Sequence, residues 1–219
     1  MREIKAFILD LDGVVTDTAE YHFLAWKQLA DEEGIAFTRE DNEALRGVSR
    51  RKSLEILLGD HITRYTEGQI LAMMERKNGY YKQFLTQITE EDFLPGAKEL
   101  LSGLKARGMK VAIGSASRNT RTVLTRLGIL DFFDGISDGY TVSRAKPAPD
   151  VFVYAAGSVG VPVENCVVVE DAQAGVEAAL IAGMLAVGIG PADRVGKAHF
   201  RYDSTADIDL DEIIAEQEL

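Results

Sequence analysis

The stretch Ile4-Lys5-Ala6-Phe7-Ile8-Leu9, followed by Asp10-Leu11-Asp12-Gly13, joins an apolar run to two carboxylates that are separated by one residue. A short apolar run predicts a buried parallel strand, and in open α/β sheets ligands bind just beyond the carboxyl ends of such strands. Residues two apart in an extended chain point to the same side, and Gly13 permits a sharp turn. The stretch therefore predicts two carboxylates that face one small space at a strand end.

Two neighbouring carboxylates repel each other unless a bound cation, a shared proton or a division of roles between them offsets the repulsion. Each of these arrangements is typical of a reactive site. Asp and Gly are also ordinary turn residues, so a polar turn that caps the following helix explains the four residues equally well on their own. The choice between the two depends on the side chains at the ends of the other strands.

Composition limits the classes of function. The chain has 219 residues, enough for a substantial core, with 35 acidic and 24 basic side chains and a net charge of -11. This charge disfavours nonspecific binding to nucleic acid. The single cysteine, Cys166, lies in an apolar run and is expected to be a small buried hydrophobe. No secretion segment is visible and the longest apolar stretch, 178–192, is interrupted by glycines. We expect a cytoplasmic monomer without nucleic-acid or membrane partners.

Two different patterns organise the chain. Residues 18 to about 86 show helical periodicity without a convincing strand. After Leu94-Pro95-Gly96, helix and strand patterns alternate, which predicts a right-handed parallel sheet. The predicted strands of this second part are 110–114, 166–169 and 185–188, and its predicted helices end near 107, span 119–127, follow Pro149 and span 173–182.

One strand, then a helical block, then further strand and helix units is the order expected for a helical cap inserted into an α/β domain. We predict a Rossmann-like, doubly wound parallel sheet as the core domain, formed by residues 1–16 and 92–219. Residues 17–91 would form the helical cap domain.

Chemically coherent side chains follow the predicted strands. Because the carboxyl ends of parallel strands share one edge of a sheet, these side chains should lie together. They are Asp10, Asp12, Ser115, Lys146, Glu170 and Asp171. The carboxylates are hard oxygen ligands of the kind that Mg²⁺ prefers, and the hydroxyl and the amine complement a phosphoryl group. Separately, each has a plainer explanation as a helix cap, a solvated charge or a first-turn acid. Their joint occurrence favours a site.

In this order, the residues resemble the four signature motifs of the haloacid dehalogenase superfamily. The motifs are Asp10-Leu11-Asp12-Gly13-Val14-Val15-Thr16-Asp17-Thr18, Ser115, Lys146 and Glu170-Asp171. The resemblance covers essentially the whole chain. It implies that Asp10 is a nucleophile that forms an aspartyl-phosphate and that Asp12 is the general acid and base. It also implies that Mg²⁺ is held by Asp10, the Asp12 backbone carbonyl, Asp171 and Glu170, and that Ser115 and Lys146 hold the transferring phosphate.

The predicted cap resembles that of the sugar-phosphate mutases in this superfamily. Thr18, His22 and Trp26 are spaced by four, so on a helix they would line one face above the cleft. Trp26 is also a natural core residue of an amphipathic helix. The other residues implied to bind substrate are Gly47, Val48, Ser49, Arg50, Ser53, Lys77, Ala116, Ser117, Arg118 and Asn119.

Arg50 is expected to bind a second phosphate through the bidentate fork of its guanidinium, with help from Ser53 and Lys77. The plainer alternative is a surface ion pair. With a second phosphate site, the resemblance implies interconversion of β-D-glucose 1-phosphate and β-D-glucose 6-phosphate, with β-D-glucose 1,6-bisphosphate as intermediate and activator. Two alternatives stay open: a sugar-phosphate phosphatase of the same superfamily, and a receiver-like phospho-aspartate signalling module. A receiver needs neither Asp12 nor a helical insertion.

Overall fold

The computed structural model describes residues 3–215. Its strands are β1 (Ala6–Leu9), β2 (Lys110–Gly114), β3 (Gly135–Ser137), β4 (Cys166–Glu170), β5 (Leu185–Ile189) and β6 (Phe200–Tyr202). They form one parallel sheet in the order β3-β2-β1-β4-β5-β6. The first strand of the chain is therefore central, and the order reverses on either side of it. This is the doubly wound arrangement that the alternating pattern predicts.

The register of the central strands decides what their ends bring together. Phe7 of β1 is level with Val111 of β2 and with Val167 of β4. Every residue of β1 and β4 is buried, as expected for strands that are covered on both faces. The residues just beyond these three strands consequently meet at one edge of the sheet.

Helices cover both faces of the sheet and fill the insertion. They are α1 (Ala19–Glu32), α2 (Arg39–Glu43), α3 (Arg50–Leu58), α4 (Glu67–Leu85), α5 (Ala97–Ala106), α6 (Thr120–Arg126), α7 (Asp150–Ser158), α8 (Gln173–Ile181), α9 (Ala192–Val195) and α10 (Leu210–Ala215). Side chains of α5, α6 and α10 pack with Phe7 and Leu9, whereas those of α7 and α8 pack with Ala6 and Ile8. This division follows from the alternation of side chains along a strand.

The first four helices lie between β1 and β2 in the chain and have their own apolar cluster. It includes Trp26, Leu29, Phe37, Leu54 and Met73. Polar caps define the starts of three helices: Thr38, Ser49 and Thr66 each accept a hydrogen bond from the first turn of α2, α3 and α4, respectively. We refer to α1–α4 and their connections as the cap, and to the remainder as the core.

The four strands predicted from apolar runs are confirmed, with small differences at their ends. The first begins at Ala6 rather than Ile4. Two three-residue edge strands, β3 and β6, were not predicted, since they are too short and too mixed in polarity to produce a recognisable pattern. The cap is helical as expected, and the exact domain boundaries remain a prediction. None of the helices within residues 3–215 is both long and apolar enough to cross a membrane.

The return from the cap into the core depends on Gly96. Its φ is +81°, and a Cβ there would lie 2.2 Å from the Cα of Ala206. Gly34 in the cap has a similar φ of +68° but open space around it. We expect Gly34→Ala to lower the free energy of unfolding by about 1 to 2 kcal/mol through backbone strain alone. Gly96→Ala should cost about 3 kcal/mol or more, because the clash adds to the strain. Urea unfolding of both variants measures the difference, and equal losses would contradict this account.

Candidate active site

A buried lysine joins the acids that follow β1 and β4. Lys146 Nζ donates to Asp10 Oδ1 at 2.9 Å and to Glu170 Oε1 at 2.5 Å. Glu170 also accepts a bond from the backbone N–H of Ala172 at 2.6 Å. All three charged side chains are almost completely buried. Charged side chains are stable in an apolar interior only when they are paired and hydrogen-bonded. The hydrogen bonds of this cluster meet that requirement, which indicates a functional site rather than ordinary core packing.

The acids of this site are arranged for a cation. Asp10, Glu170 and Asp171 each offer an oxygen, and these oxygens lie within 4.8 Å of one another. Two glycines make room for them. A Cβ at Gly13 would lie 2.3 Å from Asp171 Oδ2, and one at Gly175 would lie 1.9 Å from Glu170 Oε1. A compact set of carboxylate oxygens fits Mg²⁺, which shares its coordination shell with waters and substrate phosphate.

The electrostatics of the cluster favour added positive charge. Burial and then the neighbouring charge of Asp10 raise the pKa of Asp171. Burial also raises the pKa of Glu170, although Lys146 opposes the shift. Burial acts to lower the pKa of Lys146, but Asp10 and Glu170 together raise it, so Lys146 stays charged. Three carboxylates around one ammonium leave negative charge that a divalent cation would offset.

Asp12 has a different environment from Asp10. Its carboxylate accepts a hydrogen bond from the Thr18 hydroxyl, which in turn accepts one from the Tyr81 hydroxyl at 3.0 Å. Burial, and next the charge of Asp10, raise the pKa of Asp12 to about 7. A carboxyl group with such a pKa exchanges protons readily near neutral pH, which suits a general acid and base. The two carboxylates of the first motif thus have separate environments.

The cap contributes a buried lysine of its own. Lys77 Nζ lies 2.8 Å from His22 Nδ1 and 4.6 Å from the centroid of the Trp26 ring. The His22 ring stacks on Tyr81 with centroids 4.0 Å apart. Burial, followed by the charge of Arg50, lowers the pKa of Lys77 well below its usual range. An anionic ligand nearby would stabilise the charged form of this lysine.

A second cationic group reaches the cleft from α3. The Arg50 guanidinium donates to Asn78 Oδ1 at 2.9 Å and to Glu75 Oε1 at 3.2 Å, and its side chain is only 15% exposed. Asn119 of the core donates to the same oxygen of Asn78 at 3.0 Å. The cap and the core therefore meet at Asn78, beside Arg50. Arg50 thus forms the ion pair that the plainer alternative expects, with Glu75, and its guanidinium also lines the cleft.

The cleft between cap and core encloses about 270 Å³. We call it the substrate cleft. The predicted residues that line it are Asp10, Asp12, His22, Trp26, Gly47, Val48, Ser49, Arg50, Ser53, Lys77, Ser115, Ala116, Ser117, Arg118, Asn119, Lys146 and Asp171. Thr18 and Glu170 do not line it: both are fully buried, Thr18 behind Asp12 and Glu170 behind Lys146. Trp26 lines the cleft and also belongs to the apolar cluster of the cap, so both interpretations of this residue apply.

Several residues that line the cleft were not predicted as site residues, among them Arg46, Asn78 and Tyr81. Asn78 and Tyr81 follow Lys77 by one and four positions on α4, so the helical spacing from Lys77 to Tyr81 could have indicated Tyr81. No pattern in the sequence indicated that Arg46 would line the cleft. Its partner Asp171 is 125 residues away in the chain.

Comparison with known proteins agrees with the fold. Residues 4–183 match the family model of haloacid dehalogenase-like hydrolases. The chain is 44% identical over 210 residues to β-phosphoglucomutase of Bacillus subtilis, covering 95% of this chain and 93% of that protein. It is 28% identical over 214 residues to a phosphorylated carbohydrates phosphatase of Thermotoga maritima, covering 96% and 97% of the two chains. The crystal structure of β-phosphoglucomutase from Clostridium difficile superimposes with a TM-score of 0.93 at 40% identity, covering 98% of this chain and 99% of the other.

The packing of Gly175 against Glu170 makes a test of the acid cluster possible. Gly175→Ala places a Cβ against a buried carboxylate that has no room to move, so we expect a loss of about 1 to 3 kcal/mol in the free energy of unfolding. Stabilisation by added Mg²⁺ should also shrink, because the ligand set is displaced. Gly157 of α7, whose Cβ would meet nothing within 4 Å, provides the control. Gly157→Ala should be neutral or stabilising by up to about 1 kcal/mol and should respond normally to Mg²⁺. Urea unfolding with and without Mg²⁺ measures both effects, and a full Mg²⁺ response in Gly175→Ala would argue against the cluster as the metal site.

Proposed function

The chain belongs to the haloacid dehalogenase-like hydrolase family, and we propose that it interconverts β-D-glucose 1-phosphate and β-D-glucose 6-phosphate. The observation that carries this proposal is the pair of separate cationic groups on one enclosed cleft. Lys146 bonds the acids of the core, and Arg50 of the cap bonds Asn78 and Glu75 instead. A sugar bisphosphate has two phosphates and would engage both. Similarity to β-phosphoglucomutases over nearly the whole chain supports the same reaction.

Asp10 is proposed as the nucleophile. It lies at the end of the central strand and its backbone N–H is bonded to Val169 O at 2.9 Å, so its position is fixed by the sheet. A carboxylate oxygen of Asp10 attacks phosphorus and the leaving sugar oxygen departs in line, which gives an aspartyl-phosphate. Lys146 and the buried Ser115 would contact the oxygens of the transferring group, where charge spreads as the bond to the leaving group lengthens.

Asp12 is proposed to move the proton. In its neutral form it protonates the departing sugar oxygen, and as a carboxylate it later removes the proton from the incoming hydroxyl. The raised pKa, about 7, makes both forms available near neutral pH. Thr18 and Tyr81 hold the carboxyl group in place. The geometry thus assigns Thr18 to positioning Asp12 rather than to direct contact with substrate.

Magnesium is the proposed cofactor, and the acids Asp10, Glu170 and Asp171 would hold it together with the backbone carbonyl of Asp12. Bound there, Mg²⁺ would offset the negative charges of the nucleophile and the phosphate as they approach. Glu170 is bonded to Lys146 and Ala172, which favours contact with the metal through water. β-D-Glucose 1,6-bisphosphate is proposed as intermediate and activator.

Exchange of the two ends of the bisphosphate completes the proposed reaction. When the aspartyl-phosphate passes its phosphoryl group to the free hydroxyl of a sugar monophosphate whose own phosphate lies at Arg50, the sugar carries a phosphate at both positions and the Asp10 carboxylate is freed. The end that lay at Arg50 must then move to Asp10, which takes up its phosphoryl group and leaves the other sugar monophosphate as product. The chain would thus be an Mg-dependent phosphomutase of carbohydrate metabolism, and we propose a cytoplasmic, monomeric enzyme. Water in place of the sugar hydroxyl would make the same machinery a phosphatase.

Product analysis tests the proposed function. The protein is incubated with β-D-glucose 1-phosphate, Mg²⁺ and a trace of the bisphosphate, and phosphorus NMR separates glucose 6-phosphate from free phosphate. We expect glucose 6-phosphate as the main product. Asp10→Asn should abolish both products while the protein stays folded, because an amide cannot attack phosphorus. Free phosphate as the main wild-type product would indicate a phosphatase, and turnover by Asp10→Asn would exclude Asp10 as the nucleophile.

Variants of Arg50 distinguish two roles for this residue, namely binding of a second phosphate and a purely structural ion pair with Glu75. Arg50→Lys keeps the charge but loses the bidentate fork, and Arg50→Ala loses both. Loss of a charge-assisted contact with a phosphate should cost about 1.5 to 3 kcal/mol in transition-state binding. Formation of glucose 6-phosphate should fall steeply, whereas release of free phosphate should fall less. Glu75→Gln, which removes only the ion pair, serves as the control and should leave the product ratio unchanged. An unchanged ratio in Arg50→Ala would remove Arg50 from the substrate site.

A further inference from the structure

A cap arginine that the proposed mechanism does not use contacts the acid cluster of the core. Arg46 follows α2 and donates through its Nη1 to Asp171 Oδ2 at 3.0 Å and through its Nε to Glu43 Oε2 at 2.9 Å. The Asp171 side chain is 8% exposed and that of Arg46 is 27% exposed. Charge-assisted hydrogen bonds from an arginine to carboxylates are short and strong, and here two of them fix the guanidinium between Asp171 and Glu43. The pair ties the cap directly to a carboxylate of the proposed metal site.

Two neighbouring contacts make this point a docking site between cap and core. Gly47 has a φ of +69°, and a Cβ there would lie 2.8 Å from the Ala172 side chain. Arg194 Nη1 of α9 lies 3.7 Å from Oε2 of Glu43, which is the other partner of Arg46. Positive and negative side chains alternate in the order Arg194, Glu43, Arg46 and Asp171, so each charge attracts its neighbour. The cap loop therefore docks closely onto the segment that follows β4.

The same ion pair lies between two cavities. The first is the substrate cleft, and the second encloses about 240 Å³ and is lined by Asp17, Leu94, Pro95, Arg194 and Asp203, among others. We call it the hinge-side cavity, because the chain crosses between core and cap beside it: Thr16 pairs with Phe93, and Leu94 N–H bonds Val15 O. Arg46 and Asp171 line both cavities. They form part of the wall that separates them.

We propose that the Arg46–Asp171 ion pair seals the substrate cleft against water from the hinge-side cavity, which makes Arg46 a positioning residue that reserves the phosphoryl group for the sugar. This inference rests on the proposed function. Closure of a cleft protects a reactive intermediate from hydrolysis only as far as it excludes competing water. A gap beside Asp171 would open directly at the metal ligands, where the aspartyl-phosphate is held.

The competing reaction is hydrolysis of the aspartyl-phosphate. The water oxygen forms a bond to phosphorus, and the bond between phosphorus and the Asp10 carboxylate oxygen breaks. One water proton passes to the Asp12 carboxylate, and inorganic phosphate leaves. The same steps with a sugar hydroxyl give the bisphosphate. The ratio of free phosphate to glucose 6-phosphate thus reports which acceptor reaches phosphorus, independently of how much active enzyme is present.

The test measures that ratio, together with the apparent affinity for Mg²⁺, for wild type, Arg46→Ala and Arg46→Lys. Arg39→Ala is the matched control: Arg39 pairs with Glu20 on the exposed surface of the cap and does not line either cavity. We expect the ratio to rise about tenfold in Arg46→Ala. Arg46→Lys should give a smaller rise, since an ammonium keeps the positive charge beside Asp171 but lacks the separated donors with which the guanidinium reaches both Asp171 and Glu43. The ratio in Arg39→Ala should equal that of wild type.

Different results separate a water seal from a structural role. An unchanged ratio in Arg46→Ala, with both products reduced equally or Mg²⁺ binding weakened, would overturn the proposal and leave Arg46 as support for the metal site. A ratio that rises as much in Arg39→Ala would also overturn it. If Arg46→Ala does not fold, the ratio in Arg46→Lys decides. Wild-type protein that yields no glucose 6-phosphate contradicts the proposed function itself, a result that is distinct from any change among the variants.

Discussion

The bond from Lys146 to both Asp10 and Glu170 is the interaction on which the site depends. Three carboxylates at one sheet edge repel one another in a poorly solvated space, and a single buried ammonium cannot neutralise them all. The site therefore keeps a net negative charge. A divalent cation would offset this charge and so allow a phosphate to bind beside the acids. Gly13 and Gly175 serve this constraint, because they let Asp171 and Glu170 pack where any side chain would collide.

The cap adds basic side chains and enclosure to the site of the core. Arg50 and Lys77 face the cleft from cap helices, and Asn78 bridges Arg50 to Asn119 of the core. The core acids and the cap bases thus approach one another from opposite walls of the cleft. A ligand with a phosphate at each end is complementary to this arrangement, whereas a ligand with one phosphate leaves one wall unused.

Much of the fold could be predicted from the sequence because its central strands are apolar on both faces and end in chemically distinctive residues. Asp10, Ser115 and Asp171 were recognisable from their positions after such runs, whereas Lys146 was recognised from its position before Pro147 and from the resemblance to the family motifs. β3 and β6 were missed, since three-residue edge strands leave no clear periodicity. Arg46 and Tyr81 were missed for another reason: their partners Asp171 and Thr18 lie far away in the chain. The approach of cap to core brings Arg46 to Asp171, and the packing of α4 beside α1 brings Tyr81 to Thr18. Local pattern predicts strand ends better than it predicts contacts between domains.

Contacts between cap and core explain how one core chemistry can serve transfer to sugar or to water. Asp12 is held by Thr18 at the start of the cap, and Thr18 by Tyr81 of α4, so the proton-transfer group is oriented through the cap. Asp171 is held in turn by Arg46. A shift of the cap would change the environments of Asp12 and Asp171 at once, without any change at Asp10. The relatives include both mutases and a carbohydrate phosphatase, and this division agrees with a selectivity determined at the boundary between cap and core rather than at Asp10.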